Sequence, residues 1–220
     1  MYDSKVPTME AEPNYWRVNF LLHPTFWFTE GFDVTKALQL DAKNVNAYNN
    51  RGNALLVKRH YDRAISDYDV AIQLDPKYSI AYFNRGNAYD GKGFIEQAIR
   101  DYDKALDLNP IFAPAYINRG NAYKRKGHYE KAISDYGIAI DLNSYDATAY
   151  YNRGRACVEL GLYNRAITDF NRAIYIYPKF VEAYVNRGYS YQQKIIGIKP
   201  LPIFVRLSKS IHLIREQKKF

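Results

Sequence analysis

The chain has 220 residues, a formal net charge of +8, 25% charged and 47% hydrophobic residues, and 22 tyrosines. That length allows one or two ordinary domains with a sizeable core, and the apolar content excludes a disordered chain. A single cysteine, Cys157, excludes an internal disulfide framework, no run of about 18 apolar residues predicts a membrane-spanning helix, and the basic balance raises nucleic acid or an acidic surface as partners.

Residues 1–32 show no helical or strand period. They hold an aromatic stretch, Tyr15, Trp16, Phe20, Phe26, Trp27, Phe28 and Phe32, which is expected to cover the exposed end of the structure that follows. Residues 1–7 lack the basic-then-apolar order of a signal peptide, so an intracellular, cytoplasmic location is expected.

From there on the sequence repeats itself. Ala47-Tyr48-Asn49-Asn50-Arg51-Gly52-Asn53-Ala54 returns at Ala81, Ala115, Ala149 and Ala183, a step of 34 residues each time. A second block, Ala64-Ile65-Ser66-Asp67-Tyr68, returns at Ala98, Ala132 and Ala166. Each copy closes on a punctuator, Pro76, Pro110, Ser144 or Pro178. Within the second copy, Ala81, Tyr82, Arg85, Gly86, Ala88 and Tyr89 share one face at helical spacing, as do Ile95, Ala98, Ile99, Tyr102, Ala105 and Leu106. Lys92-Gly93 separates the two predicted helices, and Asn109-Pro110 ends the second. Neither helix can bury its stripe alone, so neighbouring copies must stack.

These blocks resemble the tetratricopeptide repeat (TPR) family. The family pattern of Trp-x2-Leu-Gly-x2-Tyr, Ala-x3-Phe and Pro over 34 residues reads here as Tyr82-x2-Arg85-Gly86-x2-Tyr89, Ala98-x3-Tyr102 and Pro110. The usual Leu before Gly is replaced throughout by arginine. The resemblance implies an all-α, right-handed α-solenoid of stacked antiparallel helix pairs. Its expected parts are a remnant second helix at 33–44, and four full repeats at 45–78, 79–112, 113–146 and 147–180. The first helix of a fifth repeat follows at 181–196, then a divergent basic capping helix or tail at 197–220.

The charge is unevenly placed. Residues 194–220 hold seven Lys or Arg against Glu216, so +6 of the +8 belongs to the tail. The repeat body is nearly balanced, and no basic stripe predicts nucleic-acid binding. Ile203, Phe204, Leu207, Ile211 and Ile214 give the tail one apolar face. A solvated basic cap is the main reading; contact with an anionic membrane or a calmodulin-like partner is the alternative. Incomplete end repeats also invite self-association.

Two columns of asparagine stand out on the first helices. Asn50, Asn84, Asn118, Asn152 and Asn186 share one position, and Asn53, Asn87 and Asn121 share a second, replaced later by Arg155 and Tyr189. In the family this face lines the concave groove. An amide offers donors and an acceptor, matching the backbone of an extended peptide, with Phe83, Ile117, Tyr151 and Val185 as flanking apolar contacts. The pattern is similar to the asparagine ladder of O-GlcNAc transferases. The expected function is therefore a non-catalytic scaffold that binds a protein or peptide partner. A substrate-selecting fragment of a larger O-GlcNAc transferase-like enzyme is the alternative. The claim of an asparagine-lined groove fails if Asn84, Asn118 and Asn152 are buried against neighbouring helices.

The carboxylate clamp of chaperone-binding family members needs cations at positions filled here by Asn49, Pro114 and Asn118. Shifting by one or two copies gives Phe83, Thr148 and Asn152, or Ile117, Glu182 and Asn186. No register supplies the cations, so binding of acidic chaperone tails is not expected. Arg51, Arg85, Arg119 and Arg153 fall on the buried side by helical phase, where an unpaired guanidinium is costly. Asp67, Asp101, Asp135 and Asp169 are the expected partners, in structural ion pairs. No catalytic motif, cofactor or metal site is expected: His60 and His128 lie two repeats apart, and Cys157 takes the place of Tyr89 and Tyr123 in the core.

Overall fold

The computed structural model describes Leu38 and residues 41–197. The aromatic stretch, residues 33–37, 39 and 40 of the expected remnant helix, and the tail after Gly197 lie outside the described residues; Leu38 is helical, whereas residues 41–44 form a turn that leads into the next helix, so the remnant does not extend to 44. The described residues form nine helices: α1 (Val45–Val57), α2 (Tyr61–Leu74), α3 (Ser79–Gly91), α4 (Ile95–Leu108), α5 (Ala113–Arg125), α6 (Tyr129–Leu142), α7 (Ala147–Glu159), α8 (Tyr163–Ile176) and α9 (Val181–Ile196). The fold is an all-α solenoid of stacked helix pairs. The chain divides after Pro76 into two units. The first contains the hairpin of α1 and α2. In the second, α3–α4, α5–α6 and α7–α8 pair as hairpins, each packing on the next, and α9 packs on α8.

The turn inside each hairpin uses one backbone device. The amides of His60, Phe94, His128 and Leu162 donate to the carbonyls of Leu55, Tyr89, Tyr123 and Cys157, each at 2.9 Å, closing the first helix with a Schellman-type bond. That bond requires a left-handed residue just before it. Gly93, Gly127 and Gly161 supply φ of 82°, 78° and 73°. In the first hairpin the same position is Arg59, at φ 59°, which costs about 1–2 kcal/mol more than glycine there.

A second glycine column sets how closely the paired helices approach. A Cβ at Gly52, Gly86, Gly120 or Gly154 would lie 2.5, 2.7, 2.8 or 2.7 Å from a ring carbon of Tyr68, Tyr102, Tyr136 or Phe170. Those four rings are fully buried, and alanines at 64, 98, 132 and 166 pack with them at 0% exposure. The core is therefore a row of rings seated on bare helix backbone, repeated hairpin by hairpin.

The arginines that replace the family's leucine close this core from one side. Arg51, Arg85, Arg119 and Arg153 each direct Nε and Nη2 at one carboxylate, Asp67, Asp101, Asp135 and Asp169, with distances of 2.6–3.0 Å. The fork geometry suits arginine and not lysine. The four aspartates are 2–6% exposed. Burial raises the Asp135 pKa despite the pull of Arg119. Such desolvation makes these pairs better at fixing helix registry than at adding net stability.

The remaining nitrogen, Nη1, ties one hairpin to the one before. Arg119 Nη1 lies 2.7 Å from Asp103 Oδ1, and Arg187 Nη1 donates to Asn171 Oδ1 at 2.7 Å. The residue equivalent to Asp103 in the next hairpin is Gly137, so among the described residues Arg153 forms its ion pair with Asp169 alone. A Cβ at 137 would sit 3.8 Å from Arg153 Nη1, an ordinary contact. The missing side chain borders a hollow of about 540 Å³ lined in part by Ile133, Ile138, Leu160 and Arg165. Gly137→Asp is expected to restore the inter-hairpin pair and to remove a helical glycine, stabilising the protein by about 1 kcal/mol. Urea unfolding checks this: the gain should exceed that of Gly137→Ser and shrink at high salt.

Candidate functional site

The first helices of the second unit, α3, α5, α7 and α9, carry the asparagine columns. The second column has an internal partner. Tyr68, Tyr102 and Tyr136 donate their hydroxyls to Oδ1 of Asn53, Asn87 and Asn121, at 2.8, 2.9 and 2.7 Å. A fully buried tyrosine needs such an acceptor, and burial pushes the phenols of all three well above the ordinary tyrosine range. The fourth hairpin shows the dependence by its loss. There the ring is Phe170, which has no hydroxyl, and the asparagine is replaced by Arg155. The sequence signal for this pairing is an Asn followed 15 residues later by Tyr.

The first column needs a correction. Asn84 and Asn152 are only 6% and 8% exposed, so they present almost no amide to an incoming chain. Asn118 is half-buried and donates Nδ2 to Asn87 Oδ1 at 2.8 Å, joining α5 to α3. Asn186 donates Nδ2 to the Glu182 carbonyl at 2.8 Å and to the Tyr151 hydroxyl at 3.3 Å. Asn50 is half-buried in the first unit. The face predicted to be open is partly closed, since Asn118 and Asn186 reach back to the preceding first helix and Asn84 and Asn152 are buried.

What stays accessible is narrower than the predicted ladder. Asn87 and Asn121 use Oδ1 internally, while their Nδ2 groups have no hydrogen-bond partner among the described residues. Phe83, Ile117 and Tyr151 are half-buried beside them, and Val185 is 66% exposed. Phe83 rests against Phe112 with ring centroids 4.8 Å apart, and Tyr151 against Phe180 at 4.7 Å. These rings are held in place by the turn that precedes the next hairpin.

Cations sit at one end of this face. Arg155 on α7 is half-buried, with its guanidinium carbon 5.8 Å from the Tyr151 ring centroid. Lys124 lies near it on α5, one turn beyond Asn121, and is half-buried too. Its neighbours Arg125 and Lys126 pair with Asp90 and Glu96. Neither Lys124 nor Arg155 has a carboxylate within salt-bridge distance among the described residues. Burial, and after it the charge of Arg155, pull the Lys124 pKa down to about 8 against the opposing effect of Glu159. Lys124 was not among the residues singled out by the sequence pattern. Its signal is positional: it follows Ile117 and Asn121 at i+7 and i+3, on the face where Arg155 breaks the asparagine column.

Family models of the tetratricopeptide repeat match residues 60–93 and 91–127, and a further one matches residues 117–179. Together they span more than half of the chain. The chain belongs to the tetratricopeptide repeat family. No curated protein sequence matches it. Among solved structures it is similar to YrrB, described as a TPR protein with an unusual peptide-binding site, at 25% identity over 74% of this chain and 84% of that one, with a TM-score of 0.65. It is also similar to MamA, at 29% identity over 70% and 84% of the two chains and a TM-score of 0.65. The first TPR of Spaghetti (RPAP3), bound to the HSP90 peptide SRMEEVD, matches at 29% identity over 55% of this chain and 96% of that one, with a TM-score of 0.53.

TPR proteins are generally non-catalytic scaffolds for protein or peptide partners. In this TPR chain Cys157 is fully buried, and burial pushes its thiol up to about 11, so it stays protonated at neutral pH. Among the described residues no three His, Cys, Asp or Glu side chains converge as a metal site requires, and no helix is long and apolar enough to cross a membrane. Of the positions where a carboxylate clamp would place cations, Asn49 is buried at 3% and Pro114 sits in the first turn of α5.

Asn121→Ala is expected to strand the Tyr136 hydroxyl and destabilise the protein by about 1–3 kcal/mol. The same substitution in a Tyr136→Phe background should cost clearly less, a coupling that denaturant-unfolding cycles measure. NMR titration of Lys124 should give a midpoint of about 8. Arg155→Met should raise that midpoint, and Glu159→Gln should lower it.

Proposed function

We propose that the face formed by α3, α5, α7 and α9 binds an extended segment of a partner protein, making this chain an interaction scaffold. The reading takes residues 45–180 as four repeats of one scaffold and assigns the contact to the second unit. The carrying observation is the pair of amides at Asn87 and Asn121. Each has its oxygen committed to a buried tyrosine, which fixes the rotamer, and each retains an N–H donor for a peptide carbonyl. Fixed donors beside Phe83, Ile117, Tyr151 and Val185 suit a strand of peptide. The donors grip backbone, and the apolar side chains select residues. Asn84, Asn118, Asn152 and Asn186 act as supports between helices. Similarity to YrrB, whose description names a peptide-binding site, supports the same use of the fold.

The test is a display selection of random peptides on the immobilised protein, followed by titration of the enriched sequences. Asn87→Asp keeps the acceptor for Tyr102 and Asn118 and removes the donor. Ile117→Ser removes apolar contact. Each variant should bind the selected peptides about tenfold more weakly, as expected for loss of one good contact. Unchanged affinity in both variants, with circular dichroism matching wild type, would sink the reading.

A further inference from the structure

The cations at the end of the proposed face remain without a role in the fold. Among the arginines of the repeat body, Arg51, Arg85, Arg119 and Arg153 hold buried aspartates, Arg125 pairs with Asp90, Arg172 lies against the rings of Tyr145, Tyr150 and Tyr175, and Arg59, Arg63, Arg100 and Arg165 are exposed. Lys124 and Arg155 differ. They project from adjacent first helices, are half-buried, and have no ion-pair partner among the described residues. Their surroundings are confined. Arg155 lies near the Tyr136 hydroxyl that bonds Asn121, and among the described residues Glu159 is the acidic group that acts on Lys124. Two cations against one carboxylate leave a positive charge uncompensated in a partly desolvated place, where attraction for an anion is stronger than in water.

The position follows from the repeat itself. In the two preceding hairpins of the same column, Asn87 and Asn121 answer a tyrosine hydroxyl. With Phe170 in place of tyrosine, position 155 is released from that duty and carries a guanidinium. A guanidinium recognises a carboxylate through two parallel N–H donors, and the flexible lysine adds a third.

We propose that Lys124 and Arg155 form an anchor for one acidic side chain, an Asp or Glu carboxylate, within the extended segment that this face binds. The inference rests on the peptide-binding reading above and adds its charge preference. The anchor differs from a carboxylate clamp for chain termini, since neither residue occupies a position where that clamp needs cations. It takes an internal carboxylate, flanked by apolar residues that meet Ile117 and Tyr151.

The probes are acetylated, amidated peptides of about nine residues, enough to cross three first helices ~8–10 Å apart at ~3.4 Å per residue. They are randomised over uncharged residues around a fixed central Glu, Gln, Lys or phosphoserine. Fluorescence anisotropy should show the Glu pool binding the wild-type protein about tenfold more tightly than the Gln pool. Lys124→Gln/Arg155→Gln should abolish that preference, bringing the Glu and Gln pools to equal affinity. Lys124→Glu/Arg155→Glu should transfer it to the Lys pool. Equal binding of the Glu and Gln pools to wild type would overturn the anchor and leave the peptide-binding face standing. Binding of none of the pools would overturn both. Tighter binding of phosphoserine than of Glu would overturn the carboxylate assignment. The wild-type comparison decides the matter even if a double variant fails to fold.

Discussion

In every described hairpin, the edge of an aromatic ring occupies the space that a side chain on the facing helix would fill. Gly52, Gly86, Gly120 and Gly154 provide that space, and Tyr68, Tyr102, Tyr136 and Phe170 take it. The consequence is more than close packing. A ring lying on bare backbone has one rotamer and one depth, so its hydroxyl arrives at one place. That place is Oδ1 of the asparagine next to the glycine, at 2.7–2.9 Å in all three cases. The ring contact thus sets interhelix distance, fixes an amide rotamer, and determines which amide atoms remain available.

The arginine–aspartate forks act along a different direction. Each joins the two helices of a hairpin at a fixed spacing of 16 residues. Through Nη1, Arg119 and Arg187 also reach the preceding hairpin. The buried carboxylates are costly to desolvate, so their contribution is to registry: a slipped helix would leave a charge unpaired in the core. Gly137 interrupts this chain of contacts without disturbing the hairpin, because the Asp169 fork holds Arg153 in place alone.

These commitments explain why the proposed binding face is smaller than its composition suggests. Asparagine dominates the first helices, yet most of its hydrogen-bonding capacity is used within the solenoid. Asn118 bridges to Asn87, and Asn84 and Asn152 are covered. The accessible groups are the amide donors left over from the tyrosine bonds, the apolar rings steadied by Phe112 and Phe180, and Lys124 and Arg155, which have no ion-pair partner among the described residues. On the proposed reading, neutral positions with fixed geometry would read backbone, while charge where the repeat pattern breaks would supply selectivity.

The sequence by itself determined the helices, their pairing and the inter-hairpin turns, because a 34-residue period repeats each packing requirement at the same place. It also revealed the arginine–aspartate partners, since an arginine on a buried face needs a carboxylate in reach. Helical phase could not say which atoms of the asparagines were taken. Phase assigns a residue to a face of one helix, whereas burial of Asn84 and Asn152 depends on how neighbouring elements pack against that face. Nor could it single out Lys124, one of three consecutive basic residues, as the one lacking a carboxylate. Only the tertiary structure decided these points, because hydrogen-bond satisfaction and desolvation are properties of the space between helices.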